Sequence, residues 1–366
     1  MALSKIDAAG LDIGQIGGRR NLIINGAMQV DQRNSGSAVT GISDTSNYIP
    51  DRFQIRVDGS GSGRMTAQQV TDAPANFKNS LKITVTTTDA SPTASEGYAI
   101  RQSIEGQNMS HLNFGTSDAQ TITVSFYVKS SVTGDFSLNL GNGSSTRWYG
   151  ALYTVNTADT WERKTVTLVG DTTGTWASDN TSGLVVVFGL GGGSSRTTTA
   201  DAWQTLSGTQ TFTTGGTNLF ATSSATFQIT GVQLEVGSVA TPFEHRSFGE
   251  EMELCRRYYF RLINAANEVY GQGFNYGAYV RTAIHPQTTE FRTLPSLEYV
   301  GPTTFYRKGT NATNNVNTTG NPWEIVASNK NTIFMQSTIS DTSEDGVAGS
   351  LYLTGSGCHV SFNAEL

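Results

Sequence analysis

The sequence is short of cysteine, of charge and of proline, and it has no long apolar run. Two cysteines in 366 residues, Cys255 and Cys358, are too few for a disulfide-stapled scaffold, and both are read as reduced, buried thiols. Charged residues make up 15% of the chain, well under the roughly 25% of ordinary globular domains. The net charge is -6 and Lys and Arg are nowhere concentrated, so the phosphate contacts that nucleic-acid binding requires are missing. No apolar stretch approaches a membrane span, and the opening MALSKIDAAGLDIGQIGGRR lacks the apolar core of a signal peptide. The expectation is a chain made and folded in a cytoplasm, with no membrane insertion.

Motifs that carry chemistry are equally scarce. The four histidines, His111, His245, His285 and His359, are dispersed without HExxH or other short paired spacing, so no zinc site is expected. FGLGGGSSR and GSGSGR are Gly-rich, but neither opens a helix after a strand as a phosphate loop does, and both read as turns. No GxSxG elbow occurs, and no EF-hand-like spacing marks a calcium loop. No cofactor is expected. A glycosidase needs only two carboxylates across a sugar ring; Glu96, Glu105, Asp118, Glu235 and Glu244 are the candidates, each read first as an ordinary surface or turn carboxylate.

What the chain does have is 40 Gly and abundant Ser, Thr and Asn, a composition of short strands and tight turns with a hydroxyl- and amide-rich surface. Strand signals recur from Asn21 to Arg246. In QTITVSFYVKS, Ile122, Val124, Phe126 and Val128 face one way and Thr123, Ser125, Tyr127 and Lys129 the other. DRFQIRV and SLKITV alternate likewise, and LVVVFGL is continuously apolar, as suits a central strand covered on both faces. The fold expected over 21–246 is an antiparallel jelly-roll sandwich. Residues 1–20 have no core of their own and read as an attachment arm. Strand signals resume over 265–366, predicting a smaller C-terminal β domain in which GTNATNNVNTTGNP is a long polar loop.

Between the two β-rich regions, 247–264 reads as one short helix. Ser247 can cap it, with Glu250 at capping-box spacing. Acids fill its first turns and Arg256, Arg257 and Arg261 its last, complementing the helix dipole. Phe248, Met252, Cys255, Tyr259 and Leu262 form one apolar stripe. An isolated helix this short is marginal in water, so the stripe packs either on its own sandwich or against further copies of the chain.

NLIINGAMQVDQR, ITGVQLEVGSVATPFEHRS, EEMELCRRYYFRL and the terminal FNAEL together resemble tailed-phage virion proteins of the tail-fibre and receptor-binding kind. The resemblance implies a homotrimeric virion appendage with a carbohydrate-binding-module-like sandwich. Residues 1–20 would dock on another virion protein, and the C-terminal domain would present the surface that recognises a host glycan or receptor. The chain carries neither the long tail-attachment domain nor the shaft of many such fibres, which leaves a fibre tip or a capsid-decorating fibre beside a tail fibre, and a polysaccharide depolymerase as the enzymatic alternative. Glycans are gripped by aromatic faces and a few polar groups. Trp148 with Tyr149, Trp203 and Trp176 near turns of the first domain, and Phe305, Tyr306 and Trp323 around the Asn-rich loop, are the candidate contacts. The helix stripe, from Phe248 to Leu262, supplies the candidate trimer contacts.

Overall fold

The strand Ile122–Ser130 shows how alternation builds the fold: Ile122, Val124, Phe126 and Val128 are fully buried while Tyr127 and Lys129, on the other face, are half-exposed. The computed structural model describes residues 20–262, 269–276, 279–284, 290–300, 304–308, 315–317, 324–328, 330, 332–338, 348–353 and 359–366. The chain is mainly β and divides into two compact units, one ending at Glu251 and the other spanning Met252–Glu365.

In the first unit two antiparallel sheets sandwich one core. The first has six strands, in the order Val39–Ile42, Arg64–Val70, Ser80–Thr87, Thr226–Val236, Ile122–Ser130 and Glu162–Leu168. The second has seven, in the order Trp203–Thr205, Arg147–Val155, Gly134–Asn142, Ser182–Gly192, Gly97–Glu105, Gln54–Asp58 and Asn47–Tyr48. Leu81, Ile83, Phe126 and Phe227 of the first sheet meet Ile55, Ile100, Leu138 and Phe188 of the second in a single cluster. Each such side chain contributes roughly 1.5–3 kcal/mol by leaving water. Ser182–Gly192, the LVVVFGL strand, is central as expected: Leu184, Val186 and Phe188 join the core, and Val185 and Val187 pack on the outer face with Ala99 and Trp148.

The runs quoted from either end of this unit are fastened to each other. Asn21 donates to the Val232 carbonyl at 3.1 Å and accepts from the Leu234 amide at 3.1 Å. Gly26 lies so close to this strand that a Cβ there would stand 2.1 Å from the Val232 carbonyl oxygen, which is why NLIING carries glycine at that point. Glu244 accepts from the Asn21 amide at 2.8 Å, and Glu251 from the Asn25 amide at 2.6 Å. Buried Arg246 bonds the Asn21 and Ile23 carbonyls and pairs with Glu251.

The helix is shorter than its sequence pattern: it spans Phe248–Arg256, and Tyr259–Arg261 is a strand. Ser247 caps it as expected, its Oγ accepting from the Glu250 amide at 3.2 Å. The aromatic run after Arg257 favours extended backbone, and the pairing Phe260↔Phe362 captures it. In the second unit Tyr259–Arg261, His359–Asn363 and Ser296–Val300 form a three-stranded sheet. A second sheet runs Asn315–Asn317, Thr304–Lys308, Ala348–Leu353, Val269–Tyr276, Tyr279–Ile284, Ile333–Thr338 and Glu324–Ser328. Asn315–Asn317 is thus a strand inside what the sequence presents as a polar loop. Tyr259, Val360 and Phe362 are buried, the Phe362 ring 6.4 Å from Phe260 and 6.3 Å from Phe291.

Candidate functional site

The outer face of the first sheet carries a polar ladder with rings standing over it. Strand register places Thr230, Tyr127 and Arg163 in one cross-strand row, Gln233, Ser125 and Thr165 in the next, and Glu235, Thr123 and Thr167 in a third. Between the first two rows Thr226–Val236 bulges, and Gly231 sits there at φ +61°. A Cβ at Gly231 would meet Phe77 Cζ at 2.7 Å and Tyr127 Cδ2 at 3.1 Å, so the glycine makes room for two rings as well as a left-handed backbone.

Phe77 reaches this spot from the loop between Arg64–Val70 and Ser80–Thr87. On the opposite side the chain leaves Thr226–Val236, turns at Gly237 and folds back over the sheet. Glu235 accepts from the Thr241 amide at 2.9 Å, Gln233 accepts from the Glu244 amide at 2.8 Å, and Arg163 Nη2 donates to the Thr241 carbonyl at 2.8 Å. QLEVGSVATPFE therefore encodes a strand and the strap it holds. Held on both sides, Phe243 stands 5.1 Å from Phe77 and 4.9 Å from His245, while Tyr127 lies 5.4 Å from Phe77 between ring centroids.

These rings, with Asn76, Ser125 and Arg163, line a groove of about 770 Å3. Its lining contains no carboxylate. Asn76, Arg163 and His245 are exposed, and Phe77, Tyr127 and Phe243 half-buried, so ring surface and hydrogen-bonding groups face the same open volume. On this same sheet Lys129 pairs with Asp72 at 2.9 Å and holds its carboxyl below the usual carboxylate range; the Trp161 indole also donates to Asp72, at 3.3 Å.

The aromatic residues singled out from sequence lie elsewhere. Trp148 and Tyr149 are inside the strand Arg147–Val155, not on a turn, and Trp148 is fully buried against Val185 and Val187 with no ring face for a ligand. Trp203 joins Trp176, Phe114 and Tyr149 in an edge-to-face cluster, with centroids 4.9–5.8 Å apart. Their indole N–H groups are spent on the Val169 and Thr173 carbonyls. Phe305 and Tyr306 lie on the strand Thr304–Lys308, their side chains outside the described residues, as is Trp323. On the helix stripe, Cys255 and Tyr259 are buried within the single chain, Met252 and Leu262 half-buried, and Phe248 56% exposed. The two buried side chains thus have no surface to offer another copy. Cys255 is a free thiol; Cys358 lies outside the described residues.

Four of the five carboxylates weighed as glycosidase candidates hold backbone or side-chain donors: Glu96 the Thr93 amide, Glu105 the Gln107 side chain, Glu235 and Glu244 the strap and the N-terminal run. Asp118 is exposed. Among the described residues no three His, Cys, Asp or Glu side chains converge as metal ligands, and no helix is long and apolar enough to cross a membrane. Sequence reasoning missed the groove. Its legible traces were Tyr127, an aromatic on a polar strand face, and Gly231, a glycine inside a strand pattern.

No family model matches the chain, and no curated protein matches it. Solved structures with partial likeness include the enzymatically active domain of bacteriophage CBA120 tailspike protein 4, at 10% identity over 60% of this chain and TM-score 0.30; the match spans 22% of that tailspike chain. A putative sugar binding protein from Bacteroides thetaiotaomicron is 12% identical over 59% of this chain and all of its own, with TM-score 0.35. A family 11 carbohydrate-binding module from Clostridium thermocellum is 10% identical over 55% of this chain and 97% of its own, with TM-score 0.27.

Proposed function

We propose that this chain is a non-enzymatic glycan-binding protein of a tailed-phage virion, and that the groove of its first unit takes a sugar of the host surface. The observation that carries glycan binding is the groove itself: the rings of Phe77, Tyr127, Phe243 and His245 beside Asn76 and Arg163 on a rigid sheet. Pyranose rings present apolar C–H faces that lie on aromatic rings and hydroxyls that take polar partners. A site on rigid strands, with its strap fixed by Gln233 and Glu235, loses little on ordering. Hydrolysis by the usual route needs two carboxylates flanking the glycosidic bond, and the groove is lined by none, which favours binding over cleavage.

The virion setting rests on the sequence runs that resemble phage fibres. In this reading residues 1–20 dock on another virion protein, three copies assemble, and 265–366 adds a second host-facing surface. Adsorption to host cells and to their purified surface polysaccharide tests the assignment: Tyr127→Ala with Phe243→Ala abolishes glycan retention while the fold persists. Unchanged retention by that double variant would overturn the groove as the site, and new reducing ends on incubation would make the protein a depolymerase. Mass measurement in solution checks the trimer, and electron microscopy of labelled particles separates tail from capsid.

A further inference from the structure

Resting on the glycan reading above, we infer that the groove takes an acidic sugar, a uronate or a sialate, whose carboxylate is held by the Arg163 guanidinium. Arg163 stands directly opposite Tyr127 in the antiparallel pairing of Glu162–Leu168 with Ile122–Ser130, so a group bound at the guanidinium belongs to a ring resting on or beside Tyr127. One nitrogen, Nη2, is tied to the Thr241 carbonyl at 2.8 Å. That bond orients the planar fork without neutralising it. Among the described residues no carboxylate lies within ion-pair distance of Arg163.

Three cations nearby are held by acids. Lys129 is paired with Asp72, Lys164 with Glu162, and Arg246 with Glu244 and Glu251. Arg163 is the basic side chain of the groove lining left without an acid. A guanidinium offers a fork of donors that matches a carboxylate in a bidentate pair. A neutral hexose would meet the same fork with hydroxyls alone. Acidic sugars supply both halves of what the groove presents, an apolar ring face for the aromatic residues and a carboxylate for Arg163. His245 adds a second donor at the same opening.

The full-length protein and its Arg163→Gln variant are applied to an array of bacterial surface polysaccharides, each spotted native and after chemical reduction of its carboxyl groups. The expected result is binding to uronate- or sialate-bearing spots that falls roughly tenfold or more on carboxyl reduction, the range of a charge-assisted bidentate pair. Arg163→Gln erases that preference, so that native and carboxyl-reduced spots of one polysaccharide bind the variant equally. Because Arg163 is exposed, the variant folds, which its circular dichroism spectrum verifies. Equal binding of native and reduced spots, or a preference that survives Arg163→Gln, overturns the acidic-sugar inference and leaves glycan binding standing. No signal on any spot, acidic or neutral, overturns glycan binding and the inference with it.

Discussion

Two of the aromatic clusters in the first unit do opposite things. Phe114, Tyr149, Trp176 and Trp203 sit edge to face, their indole N–H groups bonded to backbone carbonyls and the Arg147–Asp171 pair beside them. Phe77, Tyr127, Phe243 and His245 come equally close to one another but surround an open groove floored by a glycine. In the first cluster the two indole N–H groups are bonded to backbone carbonyls and the half-buried Trp176 and Trp203 pack against the core. In the second the ring faces remain available. What separates packing from recognition is the surface left over once the neighbours are in place, and counting tryptophans near turns does not measure that surface.

The contrast breaks first at its ion pairs. Asp171 is 2% exposed and takes two hydrogen bonds from Arg147, at 2.7 and 2.8 Å; Asp171→Ala strands the guanidinium and is expected to cost about 3 kcal/mol in a urea melt. Trp203→Ala follows, with a loss of about 2–3 kcal/mol because the ring is half-buried and its N–H is bonded, and glycan retention stays at the wild-type level. On the groove side the order reverses. Tyr127→Ala is expected to cost under about 1 kcal/mol of stability and at least roughly tenfold in glycan affinity by calorimetry. If Trp203→Ala lost affinity and Tyr127→Ala lost stability, the division between the clusters would be wrong.

Much of the fold is legible from period alone. Ile122, Val124, Phe126 and Val128 announce their shared face, and LVVVFGL announces a strand covered on both sides. The groove is not legible in that way, because its rings come from a loop at Phe77, a strand at Tyr127 and a strap at Phe243 that only the folded sheet brings together. Trp148 misleads because the sequence places it near a turn but does not show the packing of Val185 and Val187 over its ring. The helix is overextended because Tyr259 and Leu262 continue its spacing, whereas the pairing that diverts them depends on Phe362, about a hundred residues away. Long-range pairing is what a single sequence leaves out.

Gly231 probes the groove floor more gently. An alanine there takes on a left-handed backbone, costing roughly 1–2 kcal/mol, and its methyl displaces Phe77. Affinity should fall together with this modest stability loss, whereas a pure stability loss would mean that Phe77 is dispensable to the site.

The smallest effect completes the contrast between the ion pairs. Asp72 is half-exposed, and its carboxyl is held low by Lys129. Since the folded-state pKa lies below the ordinary 3.8, the stabilisation is fully present above that value and disappears as pH falls through the folded one. Solvent screening limits it to no more than about 0.5 kcal/mol. Asp72→Asn should therefore lower stability slightly at neutral pH and converge on wild type as pH falls below 3.8 through the folded-state value. A difference of several kcal/mol at neutral pH would show that this outer face is as tightly built as the Arg147–Asp171 side, and the distinction between a packed cluster and an available groove would lose its physical basis.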